Sequence, residues 1–172
     1  SDKDVGKMIV TDGVFSMEGD IVKLPRLVEL ANKYNARVYV DDAHSIGVLG
    51  KHGRGTGEHW GLEDKIDITM GTFSKSFATI GGFAASESKV INYIKHHSRP
   101  LIFSASPPPA VIGAVNAALE IIENEPNRRM RLFKIAERMR HSFRDMGYDV
   151  GPTVTPIFPL IIGDMDTCLM LW

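Results

Sequence analysis

A strand–helix–strand pattern near the start of the chain limits the possible folds most strongly. "KMIVT" (7–11) is a short apolar run that ends at Asp12, and "RVYV" (37–40) is a β-branched and aromatic run that ends at Asp41. Between these runs, Pro25 lies near a helix start and apolar residues recur at helical spacing, namely Leu24, Leu27, Val28, Ala31 and Tyr34. The pattern predicts a βαβ unit with parallel strands and a right-handed crossover.

Later segments extend this sheet and add helices. "KIDITMG" (65–71) predicts a third strand, and "GGFAAS" (81–86) predicts a fourth that follows too closely for an intervening helix, so we expect a mixed sheet. A helix near 87–97 and an extended "LIFSAS" (101–106) should come next. Two further helices, one opened by three prolines and one ended by Gly147, carry apolar faces formed by Val111, Ile112, Val115, Leu119 and Ile122, and by Leu132, Ile135, Ala136, Met139, Phe143 and Met146.

The last residues suggest a domain boundary. After "GYDVGPTVTP" (147–156), the run "IFPLIIG" (157–163) predicts the opening strand of a smaller α+β domain, so that 1–150 belong to a large domain and 151–172 begin a small one. Because "DTCLMLW" (166–172) stops in what should be the first turn of a helix, we expect the sequence to be a piece of a longer protein. An intact small domain with a ragged C-terminus is the alternative.

Charge and cysteine content exclude several classes of partner. The 20 basic and 21 acidic residues are interspersed and give a net charge of −1, so there is no basic patch for nucleic acid or for an anionic membrane. The single cysteine, Cys168, excludes an internal disulfide and a thiolate zinc site, which fits a reducing cytoplasm. No apolar run approaches the roughly 20 residues of a membrane span.

Reactive side chains follow each of the three predicted parallel strands. These stretches are "DGVFSMEGD" (12–20), "DDAHSIG" (41–47) and "TFSKS" (72–76), and ligands of open α/β sheets bind at this edge. A lysine among small residues can form a Schiff base with an aldehyde, and nearby hydroxyl and N–H groups could hold a phosphate. This combination points to pyridoxal phosphate (PLP), whose pyridine nitrogen needs an acid such as Asp41.

Three motifs carry a resemblance to a known family. "TFSKSFATIG" (72–81) resembles the lysine signature of the class II PLP-dependent aminotransferases. "VDDAHSIGVLGKHGRG" (40–55) and "TDGVFSMEGD" (11–20) resemble companion motifs of one branch, the α-oxoamine synthases, which join an amino acid to an acyl-CoA. The similarity runs over nearly the whole chain. It implies a three-layer fold type I large domain with a mixed, mostly parallel sheet, and a homodimer with shared active sites.

The resemblance also implies roles for individual residues. Lys75 would bind the cofactor covalently and remove the α-proton of the substrate, Asp41 would pair with the pyridine nitrogen, and His44 would hydrogen-bond the phenolic oxygen. Ser16 would contact the cofactor, and Thr72 and Ser74 would hold its phosphate. Ser104 would reach the phosphate of the neighbouring subunit.

The implied reaction is a decarboxylating condensation of an amino acid with an acyl-CoA. "GTFSKSFATIGGF" (71–83) and "SRPLIFSASPPPA" (98–110) favour L-serine with a long-chain acyl-CoA, as in sphingolipid biosynthesis. Glycine with acetyl-CoA and alanine with pimeloyl-CoA are the alternatives, because enzymes that use them share the same core motifs.

Three other functions are alternatives to this hypothesis. A non-catalytic partner subunit is an alternative that the presence of Lys75 opposes; a metal-dependent hydrolase built on "DDAH" and a plain aminotransferase are the others. "GKHGRGTG" (50–57) lacks the Ser or Thr of a P-loop and predicts a tight glycine loop, with Arg54 held by a carboxylate. We expect Asp42 to be solvated, no metal site, and structural or exposed roles for the remaining histidines, which are His52, His59, His96, His97 and His141.

Overall fold

The computed structural model describes residues 5–172. The sheet is formed by β1 (Met8–Asp12), β2 (Arg37–Asp41), β3 (Ile68–Thr72) and β4 (Gly82–Ser86). The helices are α1 (Leu24–Tyr34), α2 (Thr56–Trp60), α3 (Ser88–His97), α4 (Arg99–Ile102), α5 (Pro109–Asn124), α6 (Pro126–Asp145) and α7 (Met165–Leu171), with one 3₁₀ turn at Glu63–Lys65.

The four strands lie in sequence order across the sheet. β2 pairs in parallel with β1 and with β3, whereas β4 pairs antiparallel to β3. Asp41 at the end of β2 lies opposite Asp12 of β1 and opposite Met70 of β3. The predicted βαβ unit and the mixed sheet are therefore confirmed, and the ends of three strands meet at one edge.

A small apolar core fixes β2 against α1. Alternate residues of β2, Val38 and Val40, are 2% and 0% exposed and pack with Leu24, Val28 and Ala31 of α1. Because side chains alternate along a strand, Tyr39 and Asp41 lie on the opposite face of the sheet. The burial of Val40 thus determines the face on which the next carboxylate is presented.

Of three predictions for residues 101–147, two are confirmed and one is wrong. α5 begins at the third proline, and α6 ends just before Gly147, whose φ is +91°. The extended "LIFSAS" is wrong in its first residues, because Leu101 and Ile102 belong to α4; Pro100 occupies the first turn of that helix, where its fixed φ suits helical geometry. No helix within residues 5–172 is long and apolar enough to cross a membrane.

The run 157–163 does not form the predicted strand. Its one ladder contact among the described residues is an isolated antiparallel bridge between Ile161 and Asp149. Pro159 lies within the run and lacks an N–H donor, which disfavours a continuous ladder. The predicted terminal helix exists as α7, whose first turn is capped by the Asp164 carboxylate accepting the Thr167 N–H at 2.8 Å. The division into domains at residue 150 stays a prediction.

The α1 core yields a stability prediction. Leu24→Ala should lower the free energy of unfolding by about 2–5 kcal/mol, because the side chain is 0% exposed and its removal leaves a cavity. Leu169→Ala is the matched control, since Leu169 is 63% exposed and should change stability little. Urea unfolding of the full-length protein measures both. Equal losses in the two variants would contradict this account of the core.

Candidate active site

Asp41 occupies the site that the strand pattern predicts. It is the last residue of β2, and its Oδ1 accepts the N–H of Ala43 at 2.9 Å. This bond orients the carboxylate at the turn into His44. Within residues 5–172, Oδ2 has no hydrogen-bond donor and remains able to accept an N–H from a ligand.

Lys75 is presented by a compact loop (73–81, the lysine loop) between β3 and β4. The loop is closed by two backbone hydrogen bonds, from Phe73 to Gly81 and from Thr79 to Phe73, and Ala78 has a left-handed φ of +52°. Phe77 is 5% exposed, and its ring packs edge-on against Phe73. The phenylalanines of the motif therefore anchor the loop in apolar surroundings, while Lys75 between them is exposed.

The lysine loop presses against the turn that follows Asp41. The Ser76 hydroxyl donates to the Ile46 carbonyl at 2.7 Å. Gly47 has a φ of +81°, and a Cβ there would lie 2.6 Å from the Ser76 Cβ, so no larger residue fits without displacement. This close approach brings two parts of the chain together that are 30 residues apart.

Lys75 and His44 consequently line the same cavity, which has a volume of about 140 Å³. This volume is smaller than the roughly 300–1,000 Å³ of a typical ligand pocket. The other lining residues are Val14, Ala43, Val48, Leu49, Ser76, Thr155, Pro156 and Ile157.

His44 is held in its neutral form at neutral pH. Partial burial lowers the pKa of His44 below its ordinary 6.5, and the nearby Lys75 cation lowers it further, against the opposing influence of Asp12 and Asp41. A neutral imidazole carries one N–H and one lone pair, so it can donate a hydrogen bond to a phenolic oxygen.

Thr72 and Ser74 form a hydroxyl pair at the end of β3. Their oxygens are 2.8 Å apart, the Thr72 hydroxyl is 3.1 Å from the Gly81 carbonyl, and the Ser74 N–H donates to the Thr72 oxygen. Each hydroxyl proton can rotate toward an anion, which makes the pair suitable for a phosphate.

These residues fit PLP by their chemistry. The family's cofactor needs an amine, an acceptor for a ring N–H, a donor for a phenolic oxygen and donors for a phosphate. Lys75, Asp41, His44 and the Thr72–Ser74 pair offer one of each. Lys75 and His44 line the cavity, whereas Asp41 and Thr72 end β2 and β3 and, with Ser74, lie outside its lining.

Ser16 and Ser104 are not brought to the cavity wall. Ser16 lies in a tight turn (15–20, the Ser16 turn) closed by hydrogen bonds between Phe15 and Asp20 and between Gly19 and Phe15, and its side chain is exposed. Ser104 follows α4, where its hydroxyl donates to the Pro100 carbonyl. Their roles as cofactor contacts stay predictions.

Asp42 is buried, contrary to the expectation of a solvated side chain. It is 1% exposed, and its Oδ2 accepts the Thr56 N–H at 3.0 Å, while the Thr56 hydroxyl donates to Ser45 at 2.9 Å. A Cβ at Gly13 would lie 2.1 Å from Asp42 Oδ1, so glycine is required where β1 exits. The error arises because adjacent residues of a strand end face opposite sides, and the pair "DD" does not show which one is buried.

The glycine loop after this turn matches its prediction. Arg54 pairs with Glu63 at 4.0 Å, and its backbone N–H donates to Glu58. Burial opposes ionisation of Glu58, but hydrogen bonds from Arg54 and His52 and the His52 charge lower its pKa overall. Within residues 5–172, no group of three or more acidic, histidine or cysteine side chains is placed to hold a metal ion.

Sequence analysis missed the segment 153–157, called here the C-terminal segment. Thr155, Pro156 and Ile157 line the cavity of Lys75 and His44, although they were expected only at a domain boundary. A usable signal was Arg140, which falls four residues after Ala136 on the apolar face of α6 and is 4% exposed. A charged residue on such a face implies a buried partner elsewhere in the chain.

Comparison with known proteins places the chain in a family. The profile of class I and II aminotransferases matches residues 1–172, and the chain belongs to this family. Serine palmitoyltransferase of Sphingobacterium spiritivorum is 51% identical over 156 residues, which are 91% of this chain and 39% of that protein. The 8-amino-7-oxononanoate synthase of Exiguobacterium sibiricum is 47% identical over 165 residues, 96% of this chain and 42% of that protein.

A solved structure supports the same assignment. Serine palmitoyltransferase from S. paucimobilis with a bound PLP–myriocin aldimine superposes with a TM-score of 0.95 at 36% identity, covering 100% of this chain and 45% of that one. The resemblance to α-oxoamine synthases, the fold type I large domain and the PLP dependence of the family are thereby confirmed. The chain spans about 40% of the length of the curated relatives it matches.

The electrostatic contact between Lys75 and His44 can be tested directly. In the apo form of the full-length protein, Lys75→Met should raise the pKa of His44, because a neighbouring cation is removed while the burial remains. NMR titration of the labelled imidazole measures the change. Lys89→Met removes an exposed lysine of α3 and should leave the titration as it is. An unchanged midpoint in Lys75→Met would contradict the contact.

The burial of Asp42 predicts a pH-dependent stability. Burial first, and then the Asp41 charge, raise the pKa of Asp42 above its ordinary 3.8, although hydrogen bonds from Thr56 and Ser45 oppose the rise. The folded protein therefore holds this proton more tightly than the unfolded chain, and stability falls as the pH rises through the raised pKa.

Asp42→Asn should have a Tm close to that of the wild type near about pH 4 and a higher relative Tm as the pH rises toward neutrality, because the amide keeps an acceptor without gaining charge. Thermal unfolding of the apo full-length protein over this range measures the difference. A difference that does not vary with pH would show that Asp42 does not titrate in this way.

Proposed function

We propose that the whole protein is a PLP-dependent acyl-CoA:amino acid C-acyltransferase that performs a decarboxylating condensation. The observation that carries the proposal is the cavity that Lys75 and His44 both line. His44 lies three residues after Asp41, the last residue of β2. The family assignment and the names of the relatives support it.

Each residue has a defined task in this proposal. When bound, PLP would supply an electron sink for the charge that develops at the α-carbon of the amino acid. Lys75 would hold the cofactor between turnovers, and its free amine would remove the α-proton of the bound amino acid. Asp41 accepts the ring N–H and stabilises positive charge there, while neutral His44 donates to the phenolic oxygen. The hydroxyls of Thr72 and Ser74 bind the phosphate.

For substrates, we propose L-serine and a long-chain acyl-CoA, giving a 3-keto sphingoid base. Relatives named serine palmitoyltransferase at 51%, 48% and 47% identity support this choice. Alanine with pimeloyl-CoA is the second candidate, since relatives named 8-amino-7-oxononanoate synthase are 47% and 46% identical.

The assembly proposed is a homodimer with shared sites. Exposed residues at the end of α3 and around α4 support it, because Tyr93, Leu101 and Phe103 are 63%, 53% and 84% exposed and lie near Ser104 in sequence. Apolar side chains clustered on a surface commonly mark a protein interface. In the dimer, Ser104 would contact the phosphate of the neighbouring subunit.

The full-length protein tests the proposal with a substrate panel. Serine, alanine and glycine are each incubated with palmitoyl-CoA, pimeloyl-CoA and acetyl-CoA, and the released CoA thiol is measured. We expect release with serine and palmitoyl-CoA. Lys75→Ala should lower the rate at least about 10³-fold, because both covalent attachment and the base are lost, whereas Lys89→Ala should not change it.

Absorbance separates this enzyme from the other classes. The lysine-bound cofactor should give a visible band that borohydride abolishes and Lys75→Ala lacks. Formation of a keto acid from the amino acid without CoA release would instead indicate an aminotransferase. Absence of both the band and CoA release would indicate the non-catalytic subunit.

A further inference from the structure

A buried junction joins the C-terminal segment (153–157) to the Ser16 turn (15–20). The hydroxyls of Thr153 and Thr155 both donate to the Gly19 carbonyl, at 2.7 and 2.8 Å, across 134 and 136 positions of sequence. Thr153 is 5% exposed and Thr155 is 1% exposed. Two buried donors on one carbonyl form a specific link, because a hydroxyl that is removed from water without gaining a protein partner is unfavourable.

The backbone of the Ser16 turn is shaped for this junction. Gly19 has a φ of +74°, and a Cβ there would lie 1.9 Å from the Ile157 carbonyl oxygen. Any side chain at residue 19 would therefore separate the turn from the C-terminal segment. The direct contact between the two backbones requires glycine.

Arg140 of α6 holds the junction from the other side. Its Nη2 donates to the Thr155 carbonyl at 2.8 Å, its Nη1 pairs with Glu137, and its guanidinium lies 5.6 Å from the centre of the Phe158 ring. The side chain is 5% exposed, and its Nε has no partner among the described residues. Burial of an incompletely paired cation is unfavourable by itself. The buried position of Arg140 is therefore better explained by its hydrogen bond to the Thr155 carbonyl than by a stabilising effect of the buried charge.

The junction is adjacent to the candidate active site. Thr155 lines the cavity of Lys75 and His44, and so does Val14, which pairs with Ile21 to close the base of the Ser16 turn. The same threonine thus contacts the cavity with its own atoms and fixes the turn beside it. The hydrogen bond from the Thr155 hydroxyl reaches the carbonyl of Gly19, three residues from Ser16.

We propose that Thr155 is a positioning residue that fixes the Ser16 turn at the active site, so that cofactor affinity depends on its hydroxyl. This inference rests on the proposed function, in which Ser16 contacts PLP. Arg140 supports Thr155 from behind, and Thr153 supplies the second donor to the same carbonyl.

The first test uses the apo form of the full-length protein and is independent of the cofactor. Thr155→Val removes the hydroxyl at nearly constant volume, and the backbone amides of 15–20 should exchange with deuterium about five-fold faster. Thr155→Ser retains the donor and should restore slow exchange. Thr167→Val, an exposed position in α7, is the control and should not affect this turn. Unchanged exchange in Thr155→Val overturns the proposal.

The second test measures PLP affinity by titration of the apo proteins. Thr155→Val should weaken binding about five-fold, with Thr155→Ser near wild type. In a Ser16→Ala background, the same substitution should have less than about a two-fold further effect, because its influence passes through Ser16. Unchanged affinity, or an equal loss in both backgrounds, overturns the proposal.

Two further outcomes remain distinguishable. If Thr155→Val does not fold, Thr153→Val removes the other donor to the Gly19 carbonyl and carries both tests with the same expectations. If the wild type binds no PLP, the proposed function fails, and the exchange experiment alone decides whether Thr155 fixes the turn.

Discussion

The parallel pairing of β2 with both β1 and β3 is the constraint on which the candidate site depends. It aligns Asp12, Asp41 and Met70 across three strands, so that the loops leaving them start from one edge. The apolar contact of Val38 and Val40 with α1 fixes the face of β2, which leaves Asp41 on the other face. The packing of Val38 and Val40 against α1 therefore determines on which face Asp41 is presented at the edge of the sheet.

The antiparallel β4 explains why the lysine lies in a hairpin loop. A parallel successor to β3 would need a long crossover, whereas an antiparallel one returns after the nine residues between Thr72 and Gly82. The lysine loop is held by the contact between the Phe73 and Phe77 rings and by the hydrogen bond from the Ser76 hydroxyl to the Ile46 carbonyl. Lys75 is thus exposed on a loop that is itself well anchored, which suits the role proposed for it.

Local patterns were enough to predict the strands, the main helices and the residues at the strand ends. The apolar runs at β1 and β2 and the helical spacing of α1 each concern neighbouring residues, so a sequence displays them. The burial of Asp42 involves Thr56, 14 residues further along the chain, and the buried Thr155 bonds to Gly19, 136 residues away. The first residues of "LIFSAS" were misassigned as extended and "IFPLIIG" as a strand for a related reason. Apolar composition outweighed the prolines, which favour a helix start at Pro100 and interrupt a ladder at Pro159.

The link between Gly19 and the two threonines has a consequence for biosynthesis. As the chain leaves the ribosome, the turn around Gly19 emerges early, yet the hydroxyls that complete it follow 134 and 136 residues later. Until then the Gly19 carbonyl is left to water. Folding of this turn therefore depends on a long-range contact that can form only after the segment following α6 has been synthesised.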